Sequence, residues 1–252
     1  MSFRVVIPAR LQSSRLPGKV LADLAGQPLL LHVVAAARRS GAEAVWVATD
    51  DQSVLDVARA AGVDARLTSA EHPSGSDRIR ELADALDWPD ETIIVNLQGD
   101  EPCLPPALID TVARCLADDP AVDWATVATP LHEIEAYRDP NVVKVVLDQA
   151  GCALYFSRAP IPWEREPVMP GQPPAAPAAL RHIGLYAYRA AALRRYCAAA
   201  PGALEQCERL EQLRALALGM RIRVAVTDTP PPAGVDTAAD LERLRSRLSG
   251  AA

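Results

Sequence analysis

The first half of the chain alternates short apolar runs with segments of helical periodicity, and this alternation restricts the folds that it can adopt. The predicted strands cover 4–7, 44–49, 65–68 and 92–97, and the predicted helices cover 27–39, 50–61, 77–86 and 106–116. Strand–helix units of this length place successive strands parallel to one another, with each helix crossing over the sheet. The sequence therefore predicts an α/β fold built on a parallel sheet.

After residue 123 the alternation gives way to strands with few helices between them. Predicted strands at 124–129, 142–147, 152–156 and 183–188 indicate an antiparallel or mixed extension of the sheet. Helices at 191–199 and 204–218, a strand at 221–226 and a C-terminal helix at 237–248 complete the pattern. We expect a single domain with two parts, 1–122 and 123–252.

Composition excludes several classes of protein. Half of the 252 residues are hydrophobic and 23% are charged, which suits a packed core, and the net charge of -6 argues against nucleic-acid binding. No apolar run reaches the length of a membrane span, and the first residues lead into a strand without a signal-peptide pattern. The five cysteines lack Cys-x-x-Cys spacing, which favours buried reduced thiols over disulfides or zinc ligands. We expect a cytoplasmic protein with no nucleic-acid partner and no membrane insertion.

The loop after the first predicted strand carries three cations, Arg10, Arg15 and Lys19, among small residues and a Pro17-Gly18 turn. In open parallel sheets, ligands bind beyond the carboxyl ends of the strands. Guanidinium and ammonium groups at that edge offset the charge of a polyphosphate. A basic loop exposed to solvent would have the same composition, so these residues alone leave both interpretations open.

Two acidic residues occupy similar positions later in the chain. Asp100 follows the predicted strand 92–97 within Gln-Gly-Asp-Glu-Pro, so it reaches the same sheet edge as the basic loop. Asp236 stands in Gly-Val-Asp-Thr before the C-terminal helix. A carboxylate beside a phosphate-binding loop is a natural magnesium ligand, because Mg²⁺ takes one or two carboxylates and fills its shell with phosphate oxygens and water. Each aspartate could instead cap a turn or a helix.

A segment rich in Pro, Gly and Ala, residues 160–177, contains Trp163. It is too long for a passive connection and cannot form the interior of a sheet. We interpret it as a mobile flap or an arm that contacts a partner, with a disordered insertion as the alternative.

The motifs taken together resemble the 3-deoxy-manno-octulosonate (Kdo) cytidylyltransferase family from about residue 3 to 248. In chain order they are Ile-Pro-Ala-Arg with Ser-Arg-Leu-Pro-Gly-Lys, Ala-Thr-Asp, Ser-Gly-Ser-Asp-Arg, Gln-Gly-Asp-Glu-Pro, Tyr-Phe-Ser-Arg, Arg-His-Ile-Gly-Leu-Tyr, Leu-Glu-Gln-Leu-Arg and Gly-Val-Asp-Thr. The resemblance implies a nucleotide-diphospho-sugar transferase fold, which is glycosyltransferase-A-like and Rossmann-like, with a mixed sheet flanked by helices. It also implies that CTP and Kdo react to give CMP-Kdo and pyrophosphate for lipopolysaccharide synthesis.

The resemblance assigns roles to particular residues. Residues 1–122 would bind the nucleotide, and residues 123–252 would bind the sugar and form a homodimer. The expected catalytic residues are Arg10 and Lys19 on the triphosphate, with Asp100 and Asp236 as ligands of a Mg²⁺ cofactor. The expected nucleotide-binding residues are Pro8, Ala9, Arg10, Arg15, Lys19, Ser74, Gly75, Arg78, Gln98 and Asp100. The expected sugar-binding residues are Arg158, His182, Tyr186, Glu211 and Gln212.

Several alternatives stay open at this point. Arg78 could be an ordinary residue of the first turn of a helix. Glu208, Glu211 and Gln212 lie at i, i+3 and i+4, so one helix face could present them together to sugar hydroxyls, or they could belong to a solvated helix face. His182 is the only candidate general base, although a substrate-positioning role fits it better. The sugar could be another acidic sugar, such as 8-amino-Kdo or a sialic acid. A non-catalytic homologue would be expected to lose Lys19, Asp100 or Asp236, and a sugar-phosphate nucleotidyltransferase would need a sugar-phosphate clamp that the sequence does not indicate.

Overall fold

A computed structural model describes residues 1–12, 16–166, 171, 174 and 178–249. The chain divides into two compact units, the first formed by Met1–Asp110 with Pro231–Ala252 and the second by Thr111–Pro230. The expected parts 1–122 and 123–252 place the boundary later in the chain, and the structure also groups the C-terminal segment with the N-terminal unit.

The first unit is built on four parallel strands, which confirms the fold class predicted for this part of the chain. The strands are β1 (Arg4–Ala9), β4 (Ala44–Thr49), β5 (Asp64–Leu67) and β6 (Ile93–Asn96), in the spatial order β6-β1-β4-β5. A separate two-residue pair, β2 (Asp23–Leu24) and β3 (Gln27–Pro28), follows β1 in the chain. All residues of β6 and all but the first of β1 are buried, as expected for strands covered on both faces.

Helices cover the strands of the first unit. They are α1 (Leu29–Arg38), α2 (Gln52–Ala60), α3 (Gly75–Ala85), α9 (Ala238–Ser249) and the beginning of α4 (Pro106–Asp118), within which the division between the units falls. Asp51 caps α2 by accepting a hydrogen bond from the Ser53 backbone nitrogen at 2.8 Å. Apolar side chains of α1 and α3, including Leu30, Val33 and Ile79, are fully buried.

The strand order reverses beside β1. The chain proceeds from β1 to β4 and β5 on one side, then returns to place β6 on the other side of β1. Val5 lies opposite Val95 across the β1–β6 pair, and the Leu97 backbone nitrogen donates to the Val6 carbonyl at 3.1 Å. The loops that follow β1 and β6 therefore begin side by side, at a position where open α/β sheets bind ligands.

The second unit has mixed strand directions, as its sequence predicts. It contains β7 (Trp124–Pro130), β8 (Lys144–Leu147), β9 (Ala153–Ser157), β10 (Leu180–Arg189) and β11 (Ile222–Val226). Strand β7 pairs with β11 in parallel and with β10 antiparallel, and β8 lies antiparallel to both β10 and β9. A register shift between Ile183 and Tyr186 interrupts the β7–β10 pairing. Such a bulge changes which way the neighbouring side chains point.

Aromatic rings fill the core of the second unit. Trp124 lies 5.1 Å from the Tyr188 ring and 4.9 Å from the Tyr196 ring between centroids, and all three side chains are almost fully buried. The helices of this unit are the remainder of α4, α5 (Ile134–Arg138), α6 (Ala190–Ala198), α7 (Ala203–Glu208) and α8 (Gln212–Ala217). The sequence patterns did not predict α5, which is only one turn long.

Two predicted helices have different bounds. The helix predicted at 27–39 begins at Leu29, because Gln27 and Pro28 are extended and pair with Asp23–Leu24. The helix predicted at 204–218 is interrupted between α7 and α8. Arg209 adopts a left-handed conformation with φ of 51°, which an α-helix cannot accommodate. The other predicted elements match the structure to within a few residues.

The C-terminal segment joins the first unit through close backbone contacts. The Val235 backbone nitrogen donates to the Asp100 carbonyl at 2.8 Å, and the Arg245 side chain donates to the Asp23 carbonyl. Gly234 permits this approach, since a Cβ atom there would lie 2.9 Å from Glu101 Cδ and 3.0 Å from the Asp100 carbonyl oxygen. The glycine of the Gly-Val-Asp-Thr motif is therefore required by packing.

Three composition-based expectations can be compared with the structure. All five cysteines are free, as predicted, but only Cys152 is buried and Cys207 is exposed. Within the described part of the chain, no helix combines the length and apolar character needed to cross a bilayer. Much of the proline-rich segment lies outside the described residues. Trp163, which lies in its described part, is 76% exposed.

The close approach at Gly234 predicts a stability effect. We expect Gly234→Ala to lower the free energy of unfolding by about 1–3 kcal/mol. The added methyl would clash with Glu101 and with the Asp100 carbonyl, and both would have to move. Urea denaturation measures this change. Gly184→Ala is the matched control, since no heavy atom lies within 4 Å of the position of its Cβ. Equal stability of the two variants would contradict the packing role of Gly234.

Candidate active site

A polar cavity of about 410 Å³ opens where the β1 and β6 loops meet. Its lining includes residues that the sequence predicted to bind nucleotide or metal, namely Pro8, Arg10, Lys19, Gly75, Gln98, Asp100 and Asp236. Gln12, Val20 and Gly99 also line it and were not predicted. Gln12 lies in the basic loop after β1, so its position in that loop could have indicated that it lines the cavity.

One ammonium group joins the two predicted metal ligands. Lys19 Nζ donates to Asp100 Oδ2, to Asp236 Oδ1 at 3.2 Å and to the Val235 carbonyl at 3.3 Å. The Lys19 side chain is only 12% exposed, whereas those of Asp100 and Asp236 are 27% and 46% exposed. The two carboxylates therefore remain accessible from the cavity, and both contact the Lys19 ammonium.

The structure separates Asp236 from the capping role that its position also allowed. Thr237 and Asp240 cap α9 reciprocally. The Thr237 hydroxyl accepts from the Asp240 backbone nitrogen at 3.2 Å, and the Asp240 carboxylate accepts from the Thr237 backbone nitrogen at 2.8 Å. Asp240 also accepts from the Asp236 backbone nitrogen, so the Asp236 carboxylate is left to face Lys19.

The N-terminus of α3 lies against the end of β1. A Cβ atom on Gly75 would lie 3.2 Å from Pro8 Cγ, so a larger residue would crowd this wall of the cavity. Ser74 does not line the cavity, because its hydroxyl caps α3 through Asp77. Ala9 is fully buried beneath the wall.

Arg10 and Arg78 have different environments. Arg10 lines the cavity and donates to the His72 carbonyl at 2.5 Å. Arg78 is fully buried, and its guanidinium donates to Thr68 and, at 2.9 Å, to Asp50. Burial lowers the pKa of Arg78, while the Asp50 carboxylate opposes that change. Arg78 thus joins the ends of β4 and β5 to α3 and supports the wall from behind. Arg15 lies outside the described residues.

The donor set fits a magnesium ion only together with substrate oxygens. Among the described residues, no group of three or more His, Cys, Asp or Glu side chains is placed to hold a metal. Asp100 and Asp236 nevertheless converge on one point, the Lys19 ammonium. Two carboxylates suffice for Mg²⁺ when phosphate groups and water complete the octahedron. The residues present are therefore compatible with the predicted cofactor.

In the second unit, the structure brings three of the predicted sugar-binding residues together. The His182 ring lies 5.4 Å from the Tyr186 ring and 5.0 Å from the Phe156 ring between centroids. Burial raises the pKa of Tyr186 well above its usual value, and the nearby charge of Glu211 adds to this increase. Gln212 follows Glu211 at the start of α8 and is buried.

His182 is neutral in this environment. Burial lowers the pKa of its imidazole to about 3. Its Nε2 lies 2.9 Å from the Thr126 hydroxyl, which itself donates to the Leu185 carbonyl at 2.8 Å. Because a hydroxyl has one proton, we assign the imidazole proton to Nε2. Nδ1 is then left as a hydrogen-bond acceptor.

Arg158 is held by backbone carbonyls. Its Nε donates to the Glu208 carbonyl at 2.6 Å, and its Nη1 donates to the Pro140 carbonyl at 2.8 Å. No hydrogen bond among the described residues uses Nη2. This guanidinium is therefore oriented by the fold and retains donors for a ligand.

Comparisons with known proteins identify the family of the chain. A family model described as cytidylyltransferase matches residues 4–222. The chain is 53% identical to the 3-deoxy-manno-octulosonate cytidylyltransferase of Nitrosococcus oceani over 98% of this chain and 97% of that protein.

Two solved structures are similar to the chain. The first is a CMP:2-keto-3-deoxy-manno-octonic acid synthetase complexed with CTP, with a TM-score of 0.90 and 39% identity, covering 100% of this chain and 99% of the other. The second is a cytidylyltransferase from Leptospira borgpetersenii, with a TM-score of 0.64 and 16% identity over 99% and 87% of the two chains. The second similarity concerns the fold alone. The expected nucleotide-diphospho-sugar transferase fold is thereby confirmed. The chain belongs to the 3-deoxy-manno-octulosonate cytidylyltransferase family.

Proposed function

We propose that this protein activates Kdo with CTP to give CMP-Kdo and pyrophosphate, for use in lipopolysaccharide synthesis. Membership of the family supports the reaction. The observation that carries the proposal is the convergence of Lys19, Asp100 and Asp236 in a cavity where the strand order reverses. A non-catalytic homologue would have no need to keep these three charges in contact.

In the proposed reaction, a hydroxyl oxygen of the sugar attacks the α-phosphorus of CTP. A new P–O bond forms as the bond to pyrophosphate breaks, and the hydroxyl proton is released. Phosphoryl transfer of this kind depends mainly on positioning and on charge stabilisation, with little need for a protein nucleophile. Arg10 and Lys19 line the cavity and would bind the triphosphate oxygens, with Lys19 exchanging one of its three present acceptors for a phosphate oxygen.

Asp100 and Asp236 would hold Mg²⁺ in the proposed mechanism. When bound, the ion would supply positive charge to the triphosphate and lower the pKa of a coordinated sugar hydroxyl. The aspartates would also keep Lys19 in place, because its ammonium is shared between them. The same side chains therefore serve both the metal and the cation beside it.

Recognition of cytosine would use the wall formed by Pro8, Gly75 and Gln98. Cytosine and uracil present opposite hydrogen-bonding groups at the positions that distinguish them. Backbone groups at the close Pro8–Gly75 contact can select between them, since a mismatched buried pair leaves polar atoms unsatisfied. Arg78 would act by supporting this wall, because its side chain is fully buried.

The second unit would bind the acidic sugar. Arg158 offers a guanidinium to the sugar carboxylate, and His182 offers Nδ1 to a sugar hydroxyl. Tyr186, Glu211 and Gln212 would complete the pocket. The proposal also includes a homodimer, which the family resemblance implies, and a cytoplasmic location, which the cysteine spacing and the lack of a signal-peptide pattern favour. 8-Amino-Kdo and sialic acid are the alternative substrates.

Pyrophosphate release tests the proposed function directly. With Mg²⁺, CTP and Kdo, we expect turnover to CMP-Kdo, and we expect UTP to lower kcat/KM by at least about tenfold because of the mismatched hydrogen bonds. The same assay with 8-amino-Kdo and a sialic acid compares the acidic sugars. Faster turnover of one of these sugars would reassign the substrate, and equal use of UTP would overturn the role of the cytosine wall.

Removal of one carboxylate tests the metal assignment. We expect Asp100→Asn to lower kcat about 100- to 1,000-fold, because it removes negative charge that holds both Mg²⁺ and Lys19. It should also weaken Mn²⁺ binding measured by electron paramagnetic resonance in the presence of CTP. Asp56→Asn, on the surface of α2, is the control. Unchanged Mn²⁺ affinity in Asp100→Asn would remove Asp100 from the metal site.

The environment of His182 predicts the pH dependence. With its pKa lowered to about 3, His182 carries no charge at any pH at which the enzyme is assayed. We therefore expect His182→Gln to raise the KM for the sugar without changing the shape of the pH–kcat profile between about pH 5 and pH 9. A wild-type inflection near pH 6.5 that disappears in the variant would identify His182 as a titrating base.

A further inference from the structure

The C-terminal residue of α7, Glu208, accepts hydrogen bonds from three groups at the end of β9. Its carboxylate accepts from the Tyr155 hydroxyl at 2.9 Å, from the Ser157 hydroxyl at 2.9 Å and from the Arg158 backbone nitrogen at 2.6 Å. Burial raises the pKa of the Tyr155 hydroxyl, and its hydrogen bond to Glu208 raises it further. Tyr155 therefore stays protonated and donates. All three partners of Glu208 are donors.

The same glutamate also holds the Arg158 side chain. The Glu208 backbone carbonyl accepts from Arg158 Nε at 2.6 Å, while its carboxylate accepts from the Arg158 backbone nitrogen. Both ends of Arg158 are thus attached to one residue. The backbone and the guanidinium of Arg158 therefore share one anchor, which restricts the direction of the side chain.

Lys144 holds the backbone carbonyl of Arg158. Its side chain is fully buried, and its ammonium donates to the carbonyls of Arg158 at 2.6 Å, of Asp139 at 2.9 Å and of Val142. The three N–H groups of the ammonium donate to these three carbonyls, so none is left for another acceptor. Pro140, which accepts from Arg158 Nη1, lies in the loop that Lys144 holds.

We propose that Glu208 is a positioning residue that sets the orientation of the Arg158 guanidinium for the carboxylate of the acidic sugar. The inference rests on the proposed function, since it assumes that Arg158 binds that carboxylate. An ionised carboxylate suits this position because it only accepts hydrogen bonds. The amide introduced by Glu208→Gln would turn its NH₂ group towards a donor, so the end of β9 and Arg158 would shift.

Glu205 provides a matched control on the same helix. It is a buried glutamate that accepts from Arg214 Nε at 2.7 Å, and the Arg214 guanidinium lies 4.3 Å from the centre of the Tyr196 ring. Its ion pair stabilises α7 and α8 without contacting Arg158. Glu205→Gln therefore perturbs the stability of this region, whereas Glu208→Gln perturbs stability and Arg158 together.

The experiment measures pyrophosphate release at saturating CTP while the Kdo concentration is varied. We expect Glu208→Gln to raise the KM for Kdo about tenfold and to leave the KM for CTP unchanged. Glu205→Gln should lower the thermal midpoint without raising the KM for Kdo. In an Arg158→Ala background, Glu208→Gln should have little further effect, because Glu208 acts through Arg158.

Other results would overturn the inference. A wild-type KM for Kdo in Glu208→Gln, alongside an increased KM in Arg158→Ala, would overturn the positioning role and leave the proposed function intact. An undiminished Glu208→Gln effect in the Arg158→Ala background would do the same. Absence of turnover by the wild-type enzyme would overturn both proposals.

A milder variant covers the case in which Glu208→Gln does not fold. Tyr155→Phe removes one donor to Glu208 and leaves the rest of the attachment in place. We expect it to raise the KM for Kdo about threefold with no change in the KM for CTP. An unchanged KM for Kdo in folded Tyr155→Phe would count against the proposal.

Discussion

The reversal of strand order beside β1 is the constraint on which the candidate active site depends. Strands β4 and β5 lie on one side of β1 and β6 lies on the other, so the loops after β1 and β6 diverge from neighbouring strands and leave a crevice. Hydrogen bonding within a buried parallel sheet fixes the starting points of both loops. Lys19 of the first loop and Asp100 of the second are therefore close enough to form an ion pair.

A second constraint brings the C-terminal segment to the same crevice. Asp236 follows Asp100 by more than a hundred residues, yet the Val235 backbone nitrogen donates to the Asp100 carbonyl. The absence of a side chain at Gly234 permits this contact, and the Thr237–Asp240 cap leaves the Asp236 carboxylate to face the cavity. The packing at Gly234 and the cap of α9 together place the Asp236 carboxylate in the site, because Asp236 is not needed to cap the helix. Gly234 and the Thr237–Asp240 cap therefore position a functional carboxylate without taking part in the proposed reaction.

The sequence predicted the parallel sheet and most of the cavity lining, because strand periodicity and loops after strands are local signals. It could not predict that Arg78 is buried, since its partner Asp50 belongs to a different strand–helix unit and only the folded chain brings them together. It also could not place the break at Arg209, where a left-handed residue interrupts a continuous helical pattern. The division at residue 123 followed the change in strand pattern, whereas the C-terminal segment joins the first unit through contacts that pattern does not encode.

The charged cluster of the second unit, formed by the buried Lys144 and the half-buried Glu208 and Arg158, differs from the charged groups of the cavity. Burying Lys144 lowers its pKa and costs solvation energy that a packed apolar residue would avoid. Stability alone therefore does not explain why Lys144, Glu208 and Arg158 occur together. Each of these side chains forms hydrogen bonds with backbone groups of the second unit. These bonds fix the conformation of segments that have no regular secondary structure. A guanidinium that must recognise a carboxylate in one orientation requires that kind of support, and apolar packing, which is not directional, cannot supply it.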